Sequence, residues 1–203
     1  AETCSSLLGV SGFLGFNQIE HQLKIIRSGA LIDAVRNELF HAFLTESKSD
    51  TMILIDSDIQ FEWEAFQRLL VFSHHYPIVC GSYPSKTEQP SFVVNPTELK
   101  LNKDDLLPID SIGMGFVAIK REALLAMQPV LETYYEKKYD RTLHAYCRLE
   151  IKNGEYIGED IHFFNKAREA GIQPMLDPFI DLGHVGIKLY NTKFQETLPT
   201  LLG

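Results

Sequence analysis

Two aspartates one residue apart, Asp56-Ser57-Asp58, close the apolar run Thr51-Met52-Ile53-Leu54-Ile55. A carboxylate pair at the end of a buried strand can hold a hard divalent cation, Mg2+ or Mn2+, and leave places open for substrate phosphates. Ligands of open α/β sheets sit just beyond the carboxyl ends of strands, where this pair falls. The ordinary alternative is a solvated turn, because Asp and Ser favour turns through local hydrogen bonds. A second segment, His184-Val185-Gly186-Ile187-Lys188, could supply an imidazole to the same cation. There Gly186 would let the backbone approach a phosphate and Lys188 would neutralise it. Glu159-Asp160 follows Gly158 at the start of a helical pattern, where carboxylates also serve as first-turn charges. Gly113-Met114-Gly115 puts two glycines into a strand-like run, which weakens it unless another group must come close. Arg36-Asn37 interrupts an amphipathic helix, as an anion clamp or as a solvent face.

The elements that must position these residues can be read from hydrophobic periodicity. Residues 2–13 read as a short helix and 22–27 as an alternating strand ending at Ser28-Gly29. Residues 30–45 carry Leu31, Ile32, Val35, Leu39, Phe40 and Phe43 at helical spacing. The continuous apolar run 51–55 predicts a central strand buried on both faces. A helix over 62–73, a strand over 77–80, a strand over 112–119 and a helix over 121–127 follow. Strand alternating with helix predicts βαβ units on a mostly parallel sheet. Around residues 92–94 only short antiparallel pieces are expected, and residues 129–153 read as irregular and rich in tyrosine. A last long helix spans 159–170, closed by Gly171, with short strands at 174–176 and 179–182.

Composition narrows the function classes. The chain has 203 residues, 45% of them hydrophobic and 23% charged, which fits one globular domain and excludes disordered, collagen-like and coiled-coil chains. The net charge of −8 argues against a protein whose task is to grip nucleic-acid backbones, which takes clustered Lys and Arg. A small phosphorylated ligand remains compatible, because a divalent metal supplies positive charge. No apolar run is long enough to span a bilayer, and no leader pattern follows Ala1. Cys4, Cys80 and Cys147 lie far apart without a CxxC, which suits a reducing compartment and offers no thiolate zinc site. A cytoplasmic location is expected, in a host cytoplasm if the source is viral.

Taken in order, Ala34-Val35-Arg36-Asn37, Ile55-Asp56-Ser57-Asp58-Ile59, Gly81-Ser82-Tyr83-Pro84-Ser85-Lys86, Gly113-Met114-Gly115-Phe116, Gly158-Glu159-Asp160 and His184-Val185-Gly186 resemble the GT-A glycosyltransferases. The closest flavour is that of the small enzymes of phages, bacteria and large DNA viruses. The resemblance covers roughly residues 30 to 190, and the ordered set is far more specific than the short DxD alone. It implies a single GT-A domain over residues 1–203: a mostly parallel, Rossmann-like central sheet flanked by helices, with a small antiparallel second sheet. Family members usually open with a strand whose loop cradles the nucleoside, so that strand is expected upstream of Ala1, with the base-binding residues there or supplied otherwise.

The resemblance also implies roles. Asp56, Asp58 and His184 would bind Mn2+ or Mg2+, with Asp56 also near the donor's ribose. Arg36, Lys86 and Lys188 would reach the diphosphate or the donor sugar, Gly113 and Gly115 would line the sugar pocket, and Gly186 would border the donor. Glu159 and Asp160 would face the acceptor and the reacting carbon, with Tyr135 and Tyr139 on the acceptor side. The expected donor is a nucleoside-diphosphate sugar, with uridine diphosphate the expected carrier, and the acceptor a glycan, a glycoprotein or another hydroxyl. Glu159-Asp160 matches the base of inverting members, whereas the His-x-Gly-x-Lys run looks like retaining ones, so both stereochemical outcomes stay open.

Other classes compete. A phosphohydrolase of the haloacid-dehalogenase type also carries DxD after a buried strand, but wants Thr or Val where Gln60 stands. A non-catalytic carbohydrate-binding module could use Trp63, Tyr134, Tyr135, Tyr139 and Tyr146 as stacking platforms. A nucleotidyltransferase would want a glycine-rich, lysine-containing loop near the start, and none is present.

Overall fold

The computed structural model describes residues 2–26, 31–89 and 91–197. Helix α1 (Glu2–Phe16) and helix α2 (Ile32–Glu46) precede strands β1 (Thr51–Ile55) and β2 (Ile59–Phe61), helix α3 (Trp63–Ser73) and strand β3 (Ile78–Cys80). Strands β4 (Val94–Pro96), β5 (Leu107–Ile112) and β6 (Phe116–Lys120) lead into helix α4 (Arg121–Met127). Strands β7 (Thr133–Glu136), β8 (Arg141–His144), β9 (Glu150–Lys152) and β10 (Glu155–Ile157) come before helix α5 (Glu159–Glu169). Strands β11 (Met175–Leu176), β12 (Leu182–Val185) and β13 (Leu189–Tyr190) close the succession.

Six strands form the main sheet in the order β1-β6-β3-β11-β5-β4. Of its neighbouring pairs only β3 and β11 run parallel, so the sheet is mixed and mostly antiparallel rather than mostly parallel. The cause is one strand. The unit β1-α3-β3 is the crossover that the strand–helix alternation predicts, but it leaves a gap between β1 and β3. Strand β6 fills the gap and bonds antiparallel to both. The buried centre is therefore β6, with Phe116, Val117, Ala118 and Ile119 all inaccessible, whereas β1 lies at the edge with only Leu54 buried.

Alternation along the central strands splits the core in two. Val117, Ile119, Ile78 and Cys80 pack on one face with Phe40 and Phe43 of α2, Leu124 of α4, and Phe163 and Phe164 of α5. Phe116, Ala118 and Val79 pack on the other with Val10 and Leu14 of α1, Phe66 and Leu69 of α3, and Ile59, Phe61 and Leu182. Helices cover both faces, and a three-stranded antiparallel sheet, β13-β12-β2, sits beside α1 and α3. Among the described residues three small antiparallel sheets accompany the main one: β13-β12-β2, β10-β9 and β7-β8.

Four other expectations change. The strand expected over 179–182 is a turn at 178–179, and β12 begins only at Leu182. The region 22–26 has no regular structure, and Leu23 and Ile25 are 66% and 61% exposed, so its alternation has no sheet to pair with; Arg27 lies outside the described residues. The run 112–119 is two strands, β5 and β6, with Gly113-Met114-Gly115 as the turn between them. The stretch 129–153 is not irregular: β7 pairs with β8 and β9 with β10 as two antiparallel hairpins. Asn153 and Gly154, both at positive φ, make the tight reversal of the second hairpin. Among the described residues, no helix is long and apolar enough to cross a membrane.

Candidate active site

Strand β1 delivers the acidic pair to one end of the sheet. Asp56 N–H donates to Gly115 O, and Asp56 O accepts from Ile59 N–H, so Asp56-Ser57-Asp58 is a tight turn into β2. Helix α1 secures that turn from outside: Thr3 Oγ1 donates to Ser57 O at 2.8 Å, and Ser6 Oγ accepts from Phe61 N–H. The other side of the turn is held by β12, where Val185 N–H donates to Asp58 O at 2.7 Å. Pairing of β12 with β2 sets His184 opposite Ile59, the residue after Asp58.

His184 Nε2 thereby lies 3.4 Å from Asp58 Oδ2. His184 Nδ1 is 2.9 Å from Pro84 O, a carbonyl that can only accept. Nδ1 therefore donates to that carbonyl, and Nε2 is the ring nitrogen turned toward Asp58, the orientation that suits a histidine ligand. Lys86 Nζ lies 2.6 Å from the same Asp58 oxygen. Burial alone would raise the Asp58 carboxyl, but the hydrogen bond and charge of Lys86, with His184 beside them, hold it below its ordinary value.

A second cluster adjoins the first. Arg36, on α2 with its side chain only 5% exposed, donates from Nη1 to Glu159 Oε1 at 2.7 Å and from Nη2 to Asp56 Oδ2 at 3.2 Å. Burial works against its charge, yet the carboxylates of Asp56 and Glu159 keep the guanidinium more firmly protonated than usual. Its Nε is buried with no hydrogen-bond partner, so one donor in the site is unspent. Asp160, beside Glu159 in the first turn of α5, accepts from Ile161 N–H at 2.7 Å. Burial, then the neighbouring Glu159 charge, pushes its carboxyl above the ordinary value. Asn37 is neither clamp nor solvent face: its amide donates to Cys147 O and accepts from Cys147 N–H, both at 2.9 Å, pinning the chain after β8 onto α2.

The two clusters meet at Tyr83, a residue to which the sequence reading gave no role. Its hydroxyl accepts from Gly115 N–H at 3.1 Å, and its ring meets His184 edge-on with centroids 4.9 Å apart. A Cβ on Gly113 would collide with the Tyr83 hydroxyl, and one on Gly115 would come within 2.8 Å of the ring. The glycine pair therefore makes room for Tyr83 rather than lining a pocket. Two glycines two positions apart signalled a close neighbour; nothing in their spacing said which. Burial and the charge of Asp56 raise the Tyr83 phenol, keeping it neutral.

The structure thus brings together Arg36, Asp56, Asp58, Lys86, Glu159 and His184, with Gly113 and Gly115 packed on Tyr83 and Gly186 beside the Lys86 stem. Lys188 instead lies in the β12–β13 reversal, its Nζ 5.3 Å from the Tyr190 ring centroid. Tyr135 and Tyr139 stand exposed on the β7–β8 hairpin, with Tyr135 donating to Asp140 and Tyr139 flanked by Lys138 and Arg141.

Among the described residues, no group of three or more His, Cys, Asp or Glu side chains is arranged to hold a metal ion. Asp56, expected as a metal ligand, has its Oδ2 on Arg36. Asp58 and His184 remain as one hard oxygen and one imidazole nitrogen facing each other. That donor set fits a divalent ion whose other places are filled by phosphate oxygens and water.

The chain is similar in fold to a solved structure described as "Crystal Structure of A197 from STIV", with a TM-score of 0.53 and 22% identity over 88% of this chain and 79% of that one. At that identity the likeness speaks to the α/β fold alone. No protein-family model and no curated protein matches the chain.

Proposed function

We propose that the chain is a metal-dependent glycosyltransferase of the GT-A type, transferring a sugar from a nucleoside-diphosphate donor, with uridine diphosphate as the expected carrier, to a hydroxyl of a glycan or similar acceptor. The observation that carries this reading is the convergence of His184 on Asp58 at 3.4 Å, at the end of β1, from distant parts of the chain. Asp58 and His184 would hold Mn2+ or Mg2+, and the bound ion would act as a Lewis acid on the leaving diphosphate. Lys86 adds positive charge where the diphosphate would lie, which an acidic chain needs there. Arg36 fixes Asp56 and Glu159 relative to each other and keeps a buried donor for the donor sugar or diphosphate. Asp160, raised by burial, stands beside Glu159 to orient or deprotonate the acceptor hydroxyl.

The competing readings fit the geometry less well. A phosphohydrolase would need Asp56 free to attack phosphorus, and that carboxylate is engaged by Arg36. A sugar-stacking module could still use the exposed Tyr135 and Tyr139, but Tyr146 is buried and donates to Leu124 O, Trp63 is stacked on Phe13 with centroids 5.1 Å apart, and such a module has no need of the Asp58–His184 pair. The test is to incubate the protein with a panel of nucleotide sugars and follow donor hydrolysis. Slow, Mn2+- or Mg2+-dependent release of nucleoside diphosphate from one donor is expected; no turnover of any donor with either metal would contradict the reading.

A further inference from the structure

Lys86 enters the site from the stretch between β3 and β4, and two features hold it there. Its Nζ lies 2.6 Å from Asp58 Oδ2, the oxygen that also faces His184 Nε2. Its stem crosses Gly186, where a Cβ would come within 3.1 Å of Lys86 Cδ. Pro84, two residues earlier, supplies the carbonyl that orients His184. One short stretch therefore aims the imidazole and also places a cation on the carboxylate opposite it. Asp58 Oδ2 has Lys86 Nζ at 2.6 Å and His184 Nε2 at 3.4 Å, so the ammonium is the nearer of the two partners and the one that neutralises the carboxylate. A divalent ion shared by Asp58 and His184 has to take the same oxygen, where it meets the ammonium as a like charge at close range.

We propose that Lys86 is the resident counter-ion of the Asp58–His184 pair, that its ammonium must leave Asp58 for a divalent ion to enter, and that the diphosphate of the donor is the group that receives it. The inference rests on the reading of Asp58 and His184 as a cation site. Its consequence is coupling. Metal alone binds weakly because it displaces an ion pair. Metal arriving with a diphosphate exchanges that pair for a lysine–phosphate contact. By linkage, each ligand raises the affinity for the other by the same factor.

The test measures Mn2+ binding from the electron paramagnetic resonance signal of the free ion, first with Mn2+ alone and then with uridine diphosphate. Lys86→Gln should bind Mn2+ alone roughly 1.5–5-fold tighter than the parent protein, the range a partly exposed ion pair is worth. The gain in Mn2+ affinity that uridine diphosphate brings should shrink by a similar factor. Lys86→Arg keeps the charge and should bind Mn2+ alone like the parent. If Asp58→Asn weakens Mn2+ binding but Lys86→Gln leaves it unchanged, the cation site stands and the counter-ion role of Lys86 is overturned. If neither the parent nor Lys86→Gln binds Mn2+, with or without uridine diphosphate, both fall together.

Discussion

Asp160 carries a cost that the fold tolerates at a place where chemistry is proposed. Burial and the adjacent Glu159 charge hold its carboxyl above the ordinary aspartate value in the folded chain. The folded state then binds that proton more tightly than the unfolded one. This group favours folding below the ordinary value, and its contribution is lost as pH rises through the folded value. At neutral pH the ionised carboxylate is a net burden. Asp160→Asn should therefore raise the melting temperature at pH 7 by roughly 2 °C for a domain of this size, with the gain disappearing below pH ~3.5. The same variant should lose sugar transfer. Thermal unfolding followed by circular dichroism at both pH values checks this; a lower melting temperature at pH 7 would mean the carboxylate is satisfied where it stands. Residue types and spacing made Asp58, His184 and Glu159 legible in the sequence. Tyr83 was not legible, because its role is to fill space above two glycines in a turn that only the tertiary fold brings to it.

At the scale of elements, α2 is the beam that carries Arg36 and Asn37, and its far end is held by another arginine. Arg121 donates to Phe43 O, Leu44 O, Ser47 O and Ser49 O and stacks on the Phe43 ring at 4.5 Å. These include carbonyls that a helix end leaves without partners. Because the carbonyls can partly rehydrate, Arg121→Ala should cost about 2 kcal/mol, or ~4–8 °C in melting temperature. A loss under 1 °C, read by the same thermal scan, would show that the cap contributes nothing. The hairpins make the opposite case. On β9–β10, Ile151 and Tyr156 sit opposite each other and are 78% and 70% exposed; on β7–β8, Tyr135 and Tyr139 are exposed as well. Replacing Tyr135 and Tyr139 with Ala should leave the melting temperature within ~1 °C, since surface positions rarely matter more. The double variant should cut transfer to the acceptor well below its effect on donor hydrolysis. Equal loss of both rates would assign the hairpin to support of the fold. Hairpins escaped the sequence reading because their strands are short and polar, with turns at Asp140 and Asn153-Gly154 that carry the only strong signal. Helix α4, in contrast, falls on the residues that its apolar spacing marked, Arg121–Met127.

At the scale of the whole molecule, the acidic turn, the β12 histidine and the α5 carboxylates meet because β6 closes the sheet between β1 and β3, and the turn before it lends Gly115 O to Asp56 N–H. Strand direction was the part of the fold that local sequence did not carry. An apolar run reads the same whether its neighbour is parallel or antiparallel, and β6 joins strands far from it in the chain. The layered α/β arrangement was legible, because helical and strand periods alternate from residue 32 to residue 80. The central claim is that Asp58 and His184 together hold a metal–diphosphate. Calorimetric titration of uridine diphosphate in the presence and absence of Mn2+ tests it most directly, on the parent protein, Asp58→Asn and His184→Ala. The account predicts Mn2+-dependent binding by the parent and at least a ~10-fold loss in each variant, with unchanged folding by circular dichroism. Equal affinity and an equal metal requirement in all three proteins would contradict it.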